Sequence, residues 1–317
     1  MVKKSLLGAI LSAAMFTSAQ QKADTSFAAL RDAEARIQAL QKKTFHSRSE
    51  TERFEGNREL LHEWDRIVND KRLLSYDFRL KDISIIRPPD NSFLLITWNI
   101  PKDDGSHTFF GYLLSSRAIT RKKSLFRKET TLEFSSYKLL DRSPTIRSPE
   151  NHVGGPDKWF GMLYTAVIPC DGYFTLIGWD GNTRLTTRKF VDVLSFRTNG
   201  DPVFGKDVFR IPRKNPRRYM FEYSSDVTMS VRYDERSNRI IYSHLASHRD
   251  DPLLEGQYQF YGPDGSYDAL VMRKDKWEIE EDIDARNDRS KKDNEWNDPR
   301  RPGKKKQKKI MPDYRPN

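Results

Sequence analysis

Between Asp157 and Phe196 the chain reads DKWFGMLYTAVIPCDGYFTLIGWDGNTRLTTRKFVDVLSF, three apolar runs broken at Asp171-Gly172 and at Asp180-Gly181-Asn182. Asp-Gly between alternating apolar runs is a hairpin signal, because the central residues of a type I′ turn take positive φ. The stretch therefore predicts a three-stranded antiparallel meander, with positive φ at Gly172 and Gly181. In the middle run Tyr173, Thr175, Ile177 and Trp179 alternate with Phe174, Leu176 and Gly178. A pleated strand sends these two sets to opposite faces. Both sets are apolar enough to be covered, which predicts a central strand.

Upstream, Leu30, Ile37 and Leu40 have helical spacing within Thr25–Lys43. Ser49-x-x-Glu52 then reads as a capping box opening an amphipathic helix over 50–69, with Phe54, Leu61, Trp64 and Val68 on one stripe. Gly56 inside it is expected to weaken the helix by ~1 kcal/mol. After Leu73 the period becomes alternating, predicting strands at 78–86, 93–100 and 108–115 with Pro- and Gly-bearing breaks between them. Residues 116–156 read as a long surface connection carrying the basic run ITRKKSLFRKET, with a strand at 132–140. Further strands are expected at 203–211, 219–223, 227–233, 240–244, 257–261, 269–272 and 277–279. The predicted class is mainly β: antiparallel meanders forming a sandwich, barrel or strongly curved sheet, with an N-terminal helical segment and a disordered C-terminal tail. The Asp-Gly pairs at 104, 171, 180 and 264 are irregularly spaced, which argues against propeller blades.

The first residues, MVKKSLLGAILSAAMFTSAQQ, place two lysines, an eleven-residue apolar run and small residues in the order of a secretory signal peptide. The run is too short for a bilayer, which needs roughly 20 residues, so cleavage near Gln20 and an exported product, periplasmic or extracellular, are expected. The organisation read from the chain is a leader at 1–19, a helical segment at 20–72, a β domain at 73–287 and a tail at 288–317. No cysteine follows the apolar run to accept a lipid, and the single cysteine, Cys170, excludes an intrachain disulfide. Of the net charge of +11, the tail holds six units and Lys3 and Lys4 two more, which leaves +3 on residues 20–287. The tail has almost no aliphatic residues and cannot offset its ordering entropy by burial. Arg300, Arg301, Lys304, Lys305, Lys306, Lys308 and Lys309 concentrate its charge. They are the candidate contacts to an anionic envelope surface; no nucleic-acid partner and no membrane span beyond the leader are expected.

Several segments together carry a resemblance: TWNIPKDDGSHTFFGYL at 97–113, DKWFGMLYTAVI at 157–168, YFTLIGWDGNTRLTTRKFVDVLSF at 173–196, DPVFG at 201–205, FEYSSDVTMSVRYDE at 221–235, and EGQYQFYGPDGSYDAL with WEIEEDIDARN at 255–287. Over roughly residues 50–287 the chain resembles a family of uncharacterised exported proteins of Gram-negative bacteria. The resemblance implies a shared fold and no activity, and it leaves the basic tail outside.

Candidate chemistry is sparse. Six histidines occur, but no G-x-S-x-G and no Cys–His motif accompanies them. His244-x-x-x-His248 lacks the intervening Glu of a zincin, so neither a metal nor another cofactor is expected. Carboxylates cluster at turns, where they serve hairpins but also supply an acid–base pair for glycan hydrolysis if two face each other. Aromatic side chains bring contact area with a polar handle, suited to a sugar or peptide. The best-placed candidates are Trp179 and Asp180 at one turn, and Tyr261, Asp264 and Tyr267 around the Gly-Pro-Asp-Gly of the other. The reading is a binding or envelope-associated module, with a carboxylate-based hydrolase of envelope glycans as the alternative.

Overall fold

The computed structural model describes residues 27–124, 127–212, 214–248 and 252–284. The leader at 1–19 and the tail at 288–317 lie outside them. Among the described residues no helix is long and apolar enough to cross a membrane. The fold is mainly β, with two N-terminal helices and antiparallel sheets.

Helices α1 (Ala28–His46) and α2 (Glu50–Ile67) form a hairpin. Ser49 caps α2 by accepting from the Glu52 amide at 3.5 Å, as its sequence predicts. Gly56 also has a packing role. It is buried, and a Cβ there would come within 2.9 Å of both Oγ1 and N of Thr44, so glycine is what lets the two helices approach. Leu60 and Trp64 from α2, and Val68 just past its end, join Leu30 and Ile37 from α1 in one buried cluster. Only three residues of the strand expected at 78–86 pair, as β1 (Ser84–Ile86). Tyr76 and Phe78 instead pack into the helical core, and the Arg79 amide donates to Glu34, leaving a ladder without that donor.

Three sheets follow. In the first, β1, β2 (Phe93–Pro101), β3 (His107–Ser124) and β4 (Arg127–Leu140) are neighbours in that order. In the second, β5 (Leu163–Cys170), β6 (Tyr173–Asp180), β7 (Thr186–Phe196) and β10 (Tyr219–Ser224) lie side by side, with the short β8 (Pro202–Phe204) paired to β7. The third orders β11 (Val231–Asp234), β12 (Arg239–Ser247), β13 (Tyr261–Arg273), β14 (Lys276–Glu280) and β9 (Phe209–Arg210). The β9–β14 pair is parallel, an exception to the expected meander.

Strand period explains how these sheets stack. Along β2, Leu94, Ile96, Trp98 and Ile100 face the helices, while Phe93 and Leu95 face the second sheet. On β7, Phe190 and Leu194 meet the first sheet, and Val191 and Val193 meet Ile240, Leu270 and Trp277 of the third. The layers are thus helices, first sheet, second sheet and third sheet, with one apolar core in each of the three seams. The meander at 163–196 is present, and β6 is its central strand.

Two expectations about connections fail. The strand expected at 132–140 is present as part of β4, but residues 116–124 and 127–131 are not a surface connection: they belong to a long β3–β4 hairpin, paired from Phe110↔Leu140 out to Ser124↔Arg127. Its base is pinned by Ile119, which is buried against Gly200, and by Arg117, whose guanidinium lies 4.1 Å over the Phe196 ring. Positive φ belongs to Gly172 alone at the first tight turn and to Asn182, not Gly181, at the second, so neither is type I′. Gly181 is required for a different reason: a Cβ there would fall on the His107 ring. The segment 257–261, expected as a strand, contains a 3₁₀ turn at Tyr258–Phe260.

Candidate functional site

The two candidate turns have different fates. At the end of β6, Asp180 is buried and Trp179 half-buried, its ring 5.3 Å from that of His107 in an edge-on contact. Asp180 accepts from the Asn182 amide at 2.8 Å. Its cross-strand neighbour Arg188 donates instead to Glu222 at 2.7 Å, and Asn182 and Thr186 also donate to Glu222, at 3.1 and 2.9 Å. Burial therefore pushes the Asp180 carboxyl up to about 6, with Asp141 and Glu222 adding repulsion. Burial also holds the neighbouring His107 below its usual range, while its Nδ1 meets the Asn99 amide at 2.7 Å. This is a packed polar corner, with a perturbed acid that faces protein.

The second turn is not a hairpin turn. Asp264-Gly265-Ser266 forms a bulge within β13, since Ser243 opposes Tyr267 and Leu245 opposes Pro263. Asp264 accepts from the Ser266 amide and hydroxyl at 2.9 and 2.8 Å, and these bonds hold its carboxyl below the usual range. The bulge separates the two flanking aromatics. Tyr261 is half-buried, its ring 5.6 Å from that of Tyr258. Tyr267 is exposed and lines a cleft of about 680 Å³ with Ser230, Arg232, Ser266, Asp282 and Asp284.

The cleft is assembled by Asp268, one residue beyond Tyr267 and buried. Its Oδ1 accepts from the Asp282 amide at 3.0 Å, and the Tyr267 carbonyl accepts from the Ile283 amide at 2.8 Å, which fastens segment 282–284 alongside β13. Its Oδ2 meets His244 Nδ1 at 2.8 Å, a bond that raises the His244 pKa. β12 is a strand through Ser247, so His244 and His248 do not have the helical relation a paired zinc site uses. Among the described residues no group of three metal-ligating side chains occurs.

The sequence reading missed the most buried polar cluster. Asp192 and Arg218 are both fully buried in the seam between the first and second sheets, with Arg218 Nε 3.1 Å from Asp192 Oδ1. That pair is an ion contact without hydrogen-bond geometry, as Nε and Nη1 of Arg218 have no hydrogen-bond partner. Tyr164 donates to Asp192 Oδ2 at 2.7 Å, and Trp159 donates to Tyr164 at 3.2 Å. The available signal was a charge inside the apolar run FVDVLSF, at the same parity as Phe190 and Leu194. Cys170 is half-buried with its thiol pushed up by burial, the environment of an unreactive cysteine. The seven candidate tail cations lie outside the described residues. In comparisons with known proteins the chain matches no family model, no curated protein and no solved structure.

Proposed function

We propose that this is an exported, envelope-associated binding module that holds a glycan segment in the cleft beside Tyr267. The carrying observation is an exposed aromatic ring flanked by serine hydroxyls, carboxylates and an arginine in an open recess. An apolar ring face with polar groups around it is the arrangement that recognises a sugar ring. The resemblance to exported proteins and the signal-peptide pattern support the location, and the cations at 300–309 supply a contact to anionic envelope material.

Binding is favoured over hydrolysis by where the acids sit. Glycoside hydrolysis takes two carboxyls flanking the bond, one with a raised pKa. Asp180, the carboxyl raised to about 6, is buried at the other turn, whereas Asp282 and Asp284 of the cleft come from one short segment of chain. The test is calorimetric titration with soluble envelope-derived oligosaccharides, alongside an assay for new reducing ends. Tyr267→Ala should lose binding at least about tenfold, given ~1–3 kcal/mol for a stacked ring. Reducing ends that appear with the wild type and vanish in Asp282→Asn would replace this reading with the hydrolase.

A further inference from the structure

The cleft beside Tyr267 is rich in hydrogen-bond acceptors. Asp282 and Asp284 are exposed on its wall, and an ionised carboxylate can accept but not donate. Ser266 adds a further acceptor, because its hydroxyl hydrogen goes to Asp264 at 2.8 Å and its oxygen lone pairs remain. Among the described residues that line the recess, Arg232 is the only cation.

Two more carboxylates stand next to the lining in sequence, Asp264 before Gly265 and Glu281 before Asp282. Bonds from the Ser266 amide and hydroxyl keep Asp264 ionised. His244 is subject to the same field: its pKa is raised first by the bond to Asp268, and then by the charges of Asp264 and Glu281. Residues 20–287 carry a net positive charge, so this negative recess runs against the body around it. It draws in a cation and repels an anion.

We infer that the ligand of this cleft is an amino sugar whose amine is unsubstituted. A protonated amine brings one positive charge and three donors, the complement of two carboxylates and a serine oxygen. The exposed Tyr267 ring offers the negative face of its π-system to the same group. An open recess of about 680 Å³ has room for a sugar ring beside the ammonium. N-acetylation removes the charge and two of the three donors, and an acidic sugar meets like charge. The inference rests on the glycan reading of the cleft and adds to it the charge of the bound sugar.

The experiment is calorimetric titration of the full chain with a β-1,4-linked glucosamine tetramer and with its fully N-acetylated counterpart, at about pH 6, where an amine is protonated. Two exposed carboxylates around one ammonium, with a ring face beside them, are worth about tenfold in affinity. The amine form should therefore bind at least about tenfold tighter than the acetylated form, and high salt should shrink that preference. Asp282→Asn/Asp284→Asn, an isosteric change at two exposed positions, should bring the two affinities to within about twofold of each other while thermal unfolding stays that of the wild type. Tyr267→Ala should weaken both forms. If the acetylated form binds as tightly as the amine form, or if the double asparagine variant keeps the preference, the amino-sugar assignment is overturned and the glycan reading stands. If neither oligosaccharide binds, the glycan reading falls and this inference falls with it. Spermidine binding as tightly as the amine tetramer overturns the sugar assignment, since an ammonium group alone then suffices.

Discussion

Asp180 and Asp192 stand on neighbouring strands of the second sheet, both buried, yet they have been accommodated in opposite ways. Asp192 sits in the middle of a seam, where Arg218 lies against it and the Tyr164 hydroxyl bonds to it. Asp180 sits at the strand end with one backbone donor, while its nearest arginine is committed to Glu222. A charge deep in a core persists only with a counter-charge, whereas one near an edge can take up a proton instead. The difference teaches that the raised pKa of Asp180 comes from incomplete compensation of a buried charge.

The comparison breaks most visibly at Arg218. Arg218→Met leaves Asp192 without its cation in the core and should destabilise the fold by about 3–5 kcal/mol, read by urea unfolding. The double variant Arg218→Met/Asp192→Leu should recover most of that loss, since removing both charges leaves an apolar seam. A single variant as stable as wild type would mean that the ion contact is incidental.

At Asp180 the sign is reversed. Its carboxyl has a pKa of about 6 folded against an ordinary 3.8, so the folded state binds more protons between those values. Stability from this group is fully present below about pH 3.8 and is lost as pH rises through 6. Asp180→Asn cannot ionise and can still accept from Asn182. It should gain about 2–3 kcal/mol over wild type at pH 7.5, and the gain should shrink to nothing near pH 3.5. A pH-independent difference would sink the argument.

A smaller effect sharpens the picture of the Asp180 corner. Gly181→Val should cost about 1–2 kcal/mol in thermal unfolding because its side chain meets the His107 ring. In a His107→Ala background most of that cost should disappear, an outcome that a positive-φ requirement at Gly181 would not give.

What could be read from the sequence was local. Ser49 and Glu52 announce a helix start because capping involves residues three apart, and the β5–β6–β7 meander follows from alternation between two tight turns. The β3–β4 ribbon escaped because RKKSLFRKET has the composition of a loop, and its pairing depends on contacts such as Thr120 with Thr130, 2.8 Å apart across the strands. Asp192 carried a local signal, a charge in an apolar run, but its partner Arg218 lies in a distant basic segment. The cleft was half visible: Tyr267 stood out beside its Gly-Pro-Asp-Gly bulge, whereas Ser230 and Asp282 reach it from β11's flank and the end of the described chain, a juxtaposition that only the folded third sheet creates.

The two inner sheets, covered on both faces, set how the molecule must come apart. Arg53 of α2 donates to the carbonyls of Ser47, Arg48 and Pro101 and pairs with Asp103 at 2.8 Å, so one side chain ties the interhelical turn to the end of β2. Peeling the helices away would strip Leu94, Ile96, Trp98 and Ile100 of their cover while the opposite face of the same strand still held the second sheet. No layer can therefore leave without weakening its neighbour, and a chain of separate-looking layers becomes one cooperative unit, in which damage at either end is felt through the whole stack.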